Sequence, residues 1–303
     1  MVARSSPVGG APVVCALLLS ALIYGPSPVL AAPIVSLGAA SSFGVLAGTT
    51  VTNSGGTVIN GNLGVSPGSA ITGFGPGTGQ LGPGIVNGTQ FTGATSAAGT
   101  AQIDLTTAFN NLAGLSCGGG NVLTGLNLGS RTLTPGVYCF TSGAQLTGTL
   151  TLNELGETNP EFVFQVASLL NTAVNSSVVE INGGADNNIF WQVGSSATLG
   201  TGTDFVGNIV ALTSISLGTG ARIACGSALA QNGAVTLLDD VITANTDPAC
   251  VTDAAAFVVS EPSSFMVLGT ALFALVEIGR RRSQFGSKSR YGEARLRLVS
   301  GPA

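Results

Sequence analysis

The chain has 303 residues, of which ten are Lys or Arg and fourteen Asp or Glu, with no His and a net charge of −4. A net charge of −4 over such a chain gives no electrostatic footprint for nucleic acid, and the missing imidazole disfavours most acid–base and triad chemistry. With 45 Gly, 13 Pro and an apolar fraction of 45%, the composition signals many turns in a chain too apolar for disorder, so many short strands are expected.

In chain order, residues 1–31 read as a secretory signal. Arg4 supplies the positive start, Pro12 to Ile23 is an apolar core too short to span a bilayer, and Val29-Leu30-Ala31 offers a small-residue cleavage site. A single domain is expected over 33–250. Its first stretch, Pro33 to Gly93, is rich in Gly, Asn and Thr, and short alternating runs such as Phe43-Gly44-Val45-Leu46-Ala47 read as coils. Over 94–113, Ala101, Leu105, Ala108, Phe109 and Leu112 fall at helical spacing, with Gly114 as the C-cap. One amphipathic helix lying along an apolar face is expected there, since its polar side lacks the Lys and Arg of a membrane-surface helix.

The second half repeats. The runs from Phe164, Trp191, Ile209 and Leu229 superpose at offsets of 27, 18 and 20, and an earlier copy is expected from Ala144. A unit of this size suits one coil of a β-solenoid with three short strands, whose apolar side is buried only by stacking. Within a coil, Val193, Ala197 and Leu199 share one parity and Gln192, Ser196 and Thr198 the other. The first set is expected inside and the second outside.

Beyond a linker at 251–260, the segment 261–282 holds Glu261-Pro262-Ser263-Ser264, the apolar run Phe265 to Ile278 and Arg280-Arg281-Arg282; a basic tail fills 283–303. This order resembles the PEP-CTERM sorting tail of Gram-negative bacteria, with Ser260 where that tail usually has Pro. The resemblance implies transient membrane contact and recognition by an exosortase on the way to the cell envelope or matrix. Export also fits the cysteines. Apart from Cys15 in the signal there are four, which allow three pairings; the local ones, Cys117–Cys139 and Cys225–Cys250, are favoured over a zinc site, which would lack His and any C-x-x-C pair.

Several runs, in order, resemble a known family. Ser41 to Gly48, Asn60 to Gly68, Leu133 to Phe140, Val163-Phe164-Gln165 and Phe190 to Ser195 are similar to signature runs of bacterial and fungal ice-binding domains, and the match covers most of 35–245. The resemblance implies an all-β, discontinuous, right-handed β-solenoid of triangular cross-section with one long α-helix packed alongside. It also implies adsorption to ice and its ordered water through one flat face; from the residues themselves, no cofactor or metal is expected. The positions matching the family's ice-face motif are Ser195, Ser196, Thr198, Thr213, Ser214, Ser216, Ala234 and Thr236, with Ser168 to Asn171 a poorer fit. Leu169 and Leu170 are expected to interrupt this face and Gly233 to leave a gap in it.

Catalysis is not expected. Asp239-Asp240 is the sole adjacent acidic pair and falls where a turn is due. The competing reading is a cell-surface or extracellular-matrix structural or adhesive protein that keeps the fold without ice activity and binds polysaccharide or cells instead.

Overall fold

The structure, a computed structural model, describes residues 35–75, 82–157, 159–183, 188–248 and 250. The signal expected over 1–31 and the linker, sorting segment and tail expected over 251–303 lie outside them. The chain falls into two units, Met1–Ala32 and Pro33–Ala303, and every described residue belongs to the second.

The chain first forms β1 (Phe43–Ala47), β2 (Thr50–Asn53), β3 (Val58–Asn60), β4 (Asn62–Val65), β5 (Ala70–Thr72), β6 (Ile85–Val86) and β7 (Gln90–Thr92), then helix α1 (Ala97–Ala113). Next come β8 (Arg131–Leu133), β9 (Gly136–Phe140), β10 (Ala144–Leu146), β11 (Thr149–Asn153), β12 (Phe162–Val166), β13 (Leu170–Thr172), β14 (Ser177–Ile181) and β15 (Ile189–Val193). The last are β16 (Ala197–Leu199), β17 (Asp204–Val206), β18 (Asn208–Ala211), β19 (Ile215–Leu217), β20 (Arg222–Ala224), β21 (Ala228–Ala230), β22 (Val235–Leu237) and β23 (Val241–Thr243).

These strands lie in three parallel sheets. Sheet A runs β7-β4-β1-β21-β18-β15-β12-β9, sheet B runs β10-β13-β16-β19-β22-β2-β5, and sheet C runs β6-β3-β23-β20-β17-β14-β11-β8. Each coil visits A, then B, then C. The winding is discontinuous: β1, β2 and β3 are inserted between the coil β4–β6 and the final coil β21–β23, where Leu46 pairs with Leu229, Thr52 with Thr236 and Ile59 with Ile242. The chain thus starts inside the stack, climbs to one end, crosses to the other, and winds back to meet its own beginning. A helix rises 1.5 Å per residue, so α1 carries the chain about 25 Å along the stack, most of the roughly 34 Å that the eight strands of sheet A span.

Two apolar layers hold this together. The inward residues of all three sheets form the solenoid core, centred on a stack of Tyr138, Phe164 and Trp191 with ring centroids 5.5 and 3.8 Å apart. Parallel coils place like residues over like, so the aromatic rings stack face to face. The second layer lies outside sheet A: Leu46, Val163, Phe190, Val210 and Leu229 meet Ala98, Ala101, Leu105, Ala108 and Leu112 of the helix. Sheet A is therefore buried on both sides, as the all-buried patterns of β1 and β15 record.

Several expectations are refined. The helix begins at Ala97, after the expected 94, because Ser96 caps it by accepting from the Ala98 N–H at 3.2 Å. Gly114 has a right-handed φ of −83°, so it does not form the left-handed cap that the sequence suggests. Phe109 is half-buried and not in the fully buried stripe. Gln192 faces outward as expected but is buried, since it lies on the covered sheet. The copy expected from Ala144 begins one strand earlier, at Gly136. In the last repeat the offset of 20 holds in sheet B, where Ile215 pairs with Val235, but sheet A pairs Ile209 with Ala228. The turn between β21 and β22 absorbs the extra residue.

Polar side chains fasten the junction of first and last coils. Asp240, fully buried, accepts from the N–H groups of Leu238 at 2.7 Å and Ala221 at 3.0 Å. The Thr57 hydroxyl donates to Asn53 Oδ1 at 2.8 Å and accepts from the Asp240 N–H at 3.1 Å. Burial pushes the Asp240 carboxyl up to about 7, against the two backbone N–H donors, which pull it down. The acidic pair is thus a turn fastener, with Asp239 in the left-handed region at φ 57°. Both expected disulfides, Cys117–Cys139 and Cys225–Cys250, are formed.

Candidate functional site

The three sides of the solenoid differ in what they offer to solvent. Sheet A is covered by α1. Sheet C presents a mixed surface: Asp204 and Arg222 lie 4.0 Å apart, both well exposed, beside Val179 and Ile181, which are 38% and 41% exposed. Sheet B is different, because its middle outward position carries the same class of residue on coil after coil.

That position forms a ladder fixed by strand register. Gln145 pairs with Asn171, Asn171 with Thr198, Thr198 with Ser216, Ser216 with Thr236, Thr236 with Thr52, and Thr52 with Thr72. Five consecutive rungs, Thr198 to Thr72, are small hydroxyl residues, and all five are exposed. The three-residue strands put Ala197 and Leu199, Ile215 and Leu217, and Val235 and Leu237 inward on either side of the rung residue. Alternation along a pleated strand dictates this geometry, and parallel stacking repeats it about every 4.8 Å.

A second column runs beside the first. Thr50 pairs with Ala70. The Ser196 hydroxyl accepts from the Ser214 N–H and the Ser214 hydroxyl from the Ala234 N–H, both at 3.3 Å, so these side chains are held in position by the neighbouring coil. Neither column contains an ionisable side chain.

All eight residues singled out from the sequence fall on this side of the solenoid. Thr198, Ser216 and Thr236 are rungs; Ser196, Ser214 and Ala234 belong to the second column. Ser195 and Thr213 stack on each other in the turn entering the sheet, where the Thr213 N–H donates to Ser195 O at 2.9 Å, and so flank the plane. Two expected defects are corrected. Leu170 is fully buried and part of the core, so only Leu169, 43% exposed, breaks the column. Gly233 leaves no gap: a Cβ there would sit 2.3 Å from both Ser214 Oγ and Thr213 O, so the close approach of the coils leaves room for no side chain.

Thr50, Thr52, Ala70 and Thr72 were not anticipated as part of this side. They come from the N-terminal coils, far away in sequence. A signal was available, since Thr50-Val51-Thr52 and Ala70-Ile71-Thr72 repeat the small–aliphatic–hydroxyl order of Ser214-Ile215-Ser216 and Ala234-Val235-Thr236.

A discontinuous, three-sided parallel solenoid with a covering helix and one flat, uncharged hydroxyl side defines a class of proteins that present a surface. Residues 45–243 match the family model described as Ice-binding-like, and the chain belongs to that family. It is 56% identical over 258 residues to an ice-binding protein of Nostoc sp. (strain HG1), covering 84% of this chain and 90% of that one. It is 34% identical to an ice-binding protein of Flavobacterium frigoris (strain PS1), covering 69% and 76% of the two chains. Among solved structures, it resembles an ice-binding protein from an Antarctic biological consortium at 40% identity and TM-score 0.63, covering 72% of this chain and 93% of that one. It likewise resembles one from the Antarctic ascomycete Antarctomyces psychrotrophicus at 39% identity and TM-score 0.64, covering 70% and 99%.

Proposed function

We propose that this protein binds ice, and that sheet B is the face that adsorbs. The observation that carries the assignment is the run of five stacked hydroxyl rungs, Thr198, Ser216, Thr236, Thr52 and Thr72, on the one uncovered sheet whose two outward columns bear no charge. Small hydroxyl and methyl groups repeating about every 4.8 Å along one direction and about 6.6 Å along the strand can hold water in a fixed array. Each contact is weak. A rigid plane lets them act together without ordering cost, because the coils are already fixed by the core. Charged or long side chains would impose their own hydration, which is why the mixed side, sheet C, is the weaker candidate.

The test is thermal hysteresis and ice recrystallisation inhibition by the purified protein and by Thr236→Tyr, with circular dichroism as the check on folding. A tyrosine at the central rung should remove most of both activities while leaving the fold unchanged. An unaltered activity in the folded variant would rule out sheet B, and inactivity of the parent would rule out ice binding itself. Action outside the cell belongs to the same reading. It is supported by the two disulfides, which persist in oxidising compartments, and by the order of motifs over 261–282, which suits sorting at a bacterial envelope.

A further inference from the structure

Sheet A is covered by the helix and sheet B is the face assigned to ice; among the described residues, sheet C is open and has no role. Two outward columns run along it. The first holds Thr149, Ser177, Asp204, Arg222, Val241 and Val58, each paired with the next by strand register. The second lies two residues further along the same strands and holds Thr151, Val179, Val206, Ala224, Thr243 and Asn60. All twelve are exposed or half-buried. The two ions sit in neighbouring strands at the middle of the first column, 4.0 Å apart, and Val179, Val206 and Ala224 form an apolar strip beside them. Toward either end the polar groups bond to each other: Thr149 with Ser177 at 2.8 Å, and Asn60, whose amide donates to the Thr243 hydroxyl at 3.2 Å.

This surface is complementary to itself. A two-fold axis parallel to the strands and passing between β17 and β20 reverses the order of coils while keeping each column over itself. It sets Asp204 against the partner's Arg222, Val206 against the partner's Ala224, Val179 against the partner's Thr243, and Thr151 against the partner's Asn60. Thr149 and Ser177, whose hydroxyls already bond to each other, fall against the partner's Val58 and Val241. The four ions at the centre then close a ring of alternating sign, whereas an axis along the stack would bring like charges to the same level. The polar groups covered toward the ends keep the bonds they have, so covering them costs little.

We infer that sheet C is a self-association face, taking a second copy of this chain across the two-fold axis between β17 and β20. Six strands about 4.8 Å apart and three to five residues long at about 3.3 Å each give a contact of roughly 400 Å² per copy. A stable dimer needs about 800 Å² per partner, so the pairing is weak and reversible, with the ions setting its register and the apolar strip supplying its burial. Sheet C is a separate side of the solenoid from sheet B, and the inference does not depend on what sheet B binds. If sheet B adsorbs to ice, the dimer carries two such faces and is held more strongly than either alone.

The experiment is sedimentation equilibrium of the purified full chain up to about 1 mM, the concentration at which even a weak pairing is populated. It is repeated with Arg222→Asp, which sets carboxylate against carboxylate across the axis, and with the double change Asp204→Arg and Arg222→Asp, which restores the alternation with the signs exchanged. Circular dichroism checks that all three fold alike. The parent should form a concentration-dependent dimer, Arg222→Asp should weaken it roughly tenfold or more, and the double change should bring it back to near the parent's strength. A parent that stays monomeric at the highest concentration would overturn the inference. So would association that Arg222→Asp leaves unaltered, which would place the contact on another surface, or a double change that restores nothing, which would remove the two-fold pairing of the ions.

Discussion

At the scale of single residues, the candidate face depends on small differences in side-chain size. Leu169 and Asn171 occupy positions that Ser196 and Thr198 fill one coil further on, so the regular plane stops at β16. The double change Leu169→Ser with Asn171→Thr should extend it by one rung and raise thermal hysteresis by about a fifth, in proportion to the rungs added. Asp240 governs a different property. Its carboxyl is held up near 7 by burial, against an ordinary value near 4, so the folded state binds the proton more tightly than the unfolded chain. This contribution to stability is fully present below about 4 and is lost as pH rises through about 7, an effect on the order of a few kcal/mol. Thermal melting from pH 4 to pH 8 should therefore show a midpoint lowered by several degrees in the parent, and a smaller slope in Asp240→Asn.

At the scale of elements, the helix shows how much a local pattern can carry. Ala101, Leu105, Ala108 and Leu112 are legible as one stripe because 3.6 residues per turn places them on one face, and all four are fully buried against sheet A. Leu105→Ala should cost about 3 kcal/mol in chemical denaturation, within the range for a leucine deleted from a closed layer. The helix does more than fill space: by covering sheet A it removes one side from contention as a functional surface. Its partners were not legible. Val163, Phe190, Val210 and Leu229 come from four different strands, and nothing local marks them as the residues on which a distant helix lies.

At the scale of the molecule, the closing of the chain on itself sets stability and site together. The first and last coils meet through Leu46–Leu229, Thr52–Thr236 and Ile59–Ile242, and the Cys225–Cys250 bridge secures the end of the last coil across 25 residues of sequence. Replacing both of these cysteines by serine should cost about 3 kcal/mol by the loop-closure argument, read as a lowered melting midpoint. Circular dichroism at low temperature should be unchanged, because the core and the junction remain.

The sequence by itself determined the parity of each strand, the existence of a coil repeat, the helix and its buried stripe, and the neutral hydroxyl character of the side now proposed to meet ice. Those features follow from the rotation of side chains along a single strand or helix, which neighbouring residues specify. Only the tertiary structure decided that Thr52 and Thr72 continue the ladder of Thr198, Ser216 and Thr236, that Leu170 is core while Leu169 is surface, and that Gly233 fills a contact too tight for a side chain. These depend on which strands lie side by side. Strands separated by well over a hundred residues became neighbours because the chain winds up, crosses over along α1, and returns, and a pattern within one strand cannot encode that path.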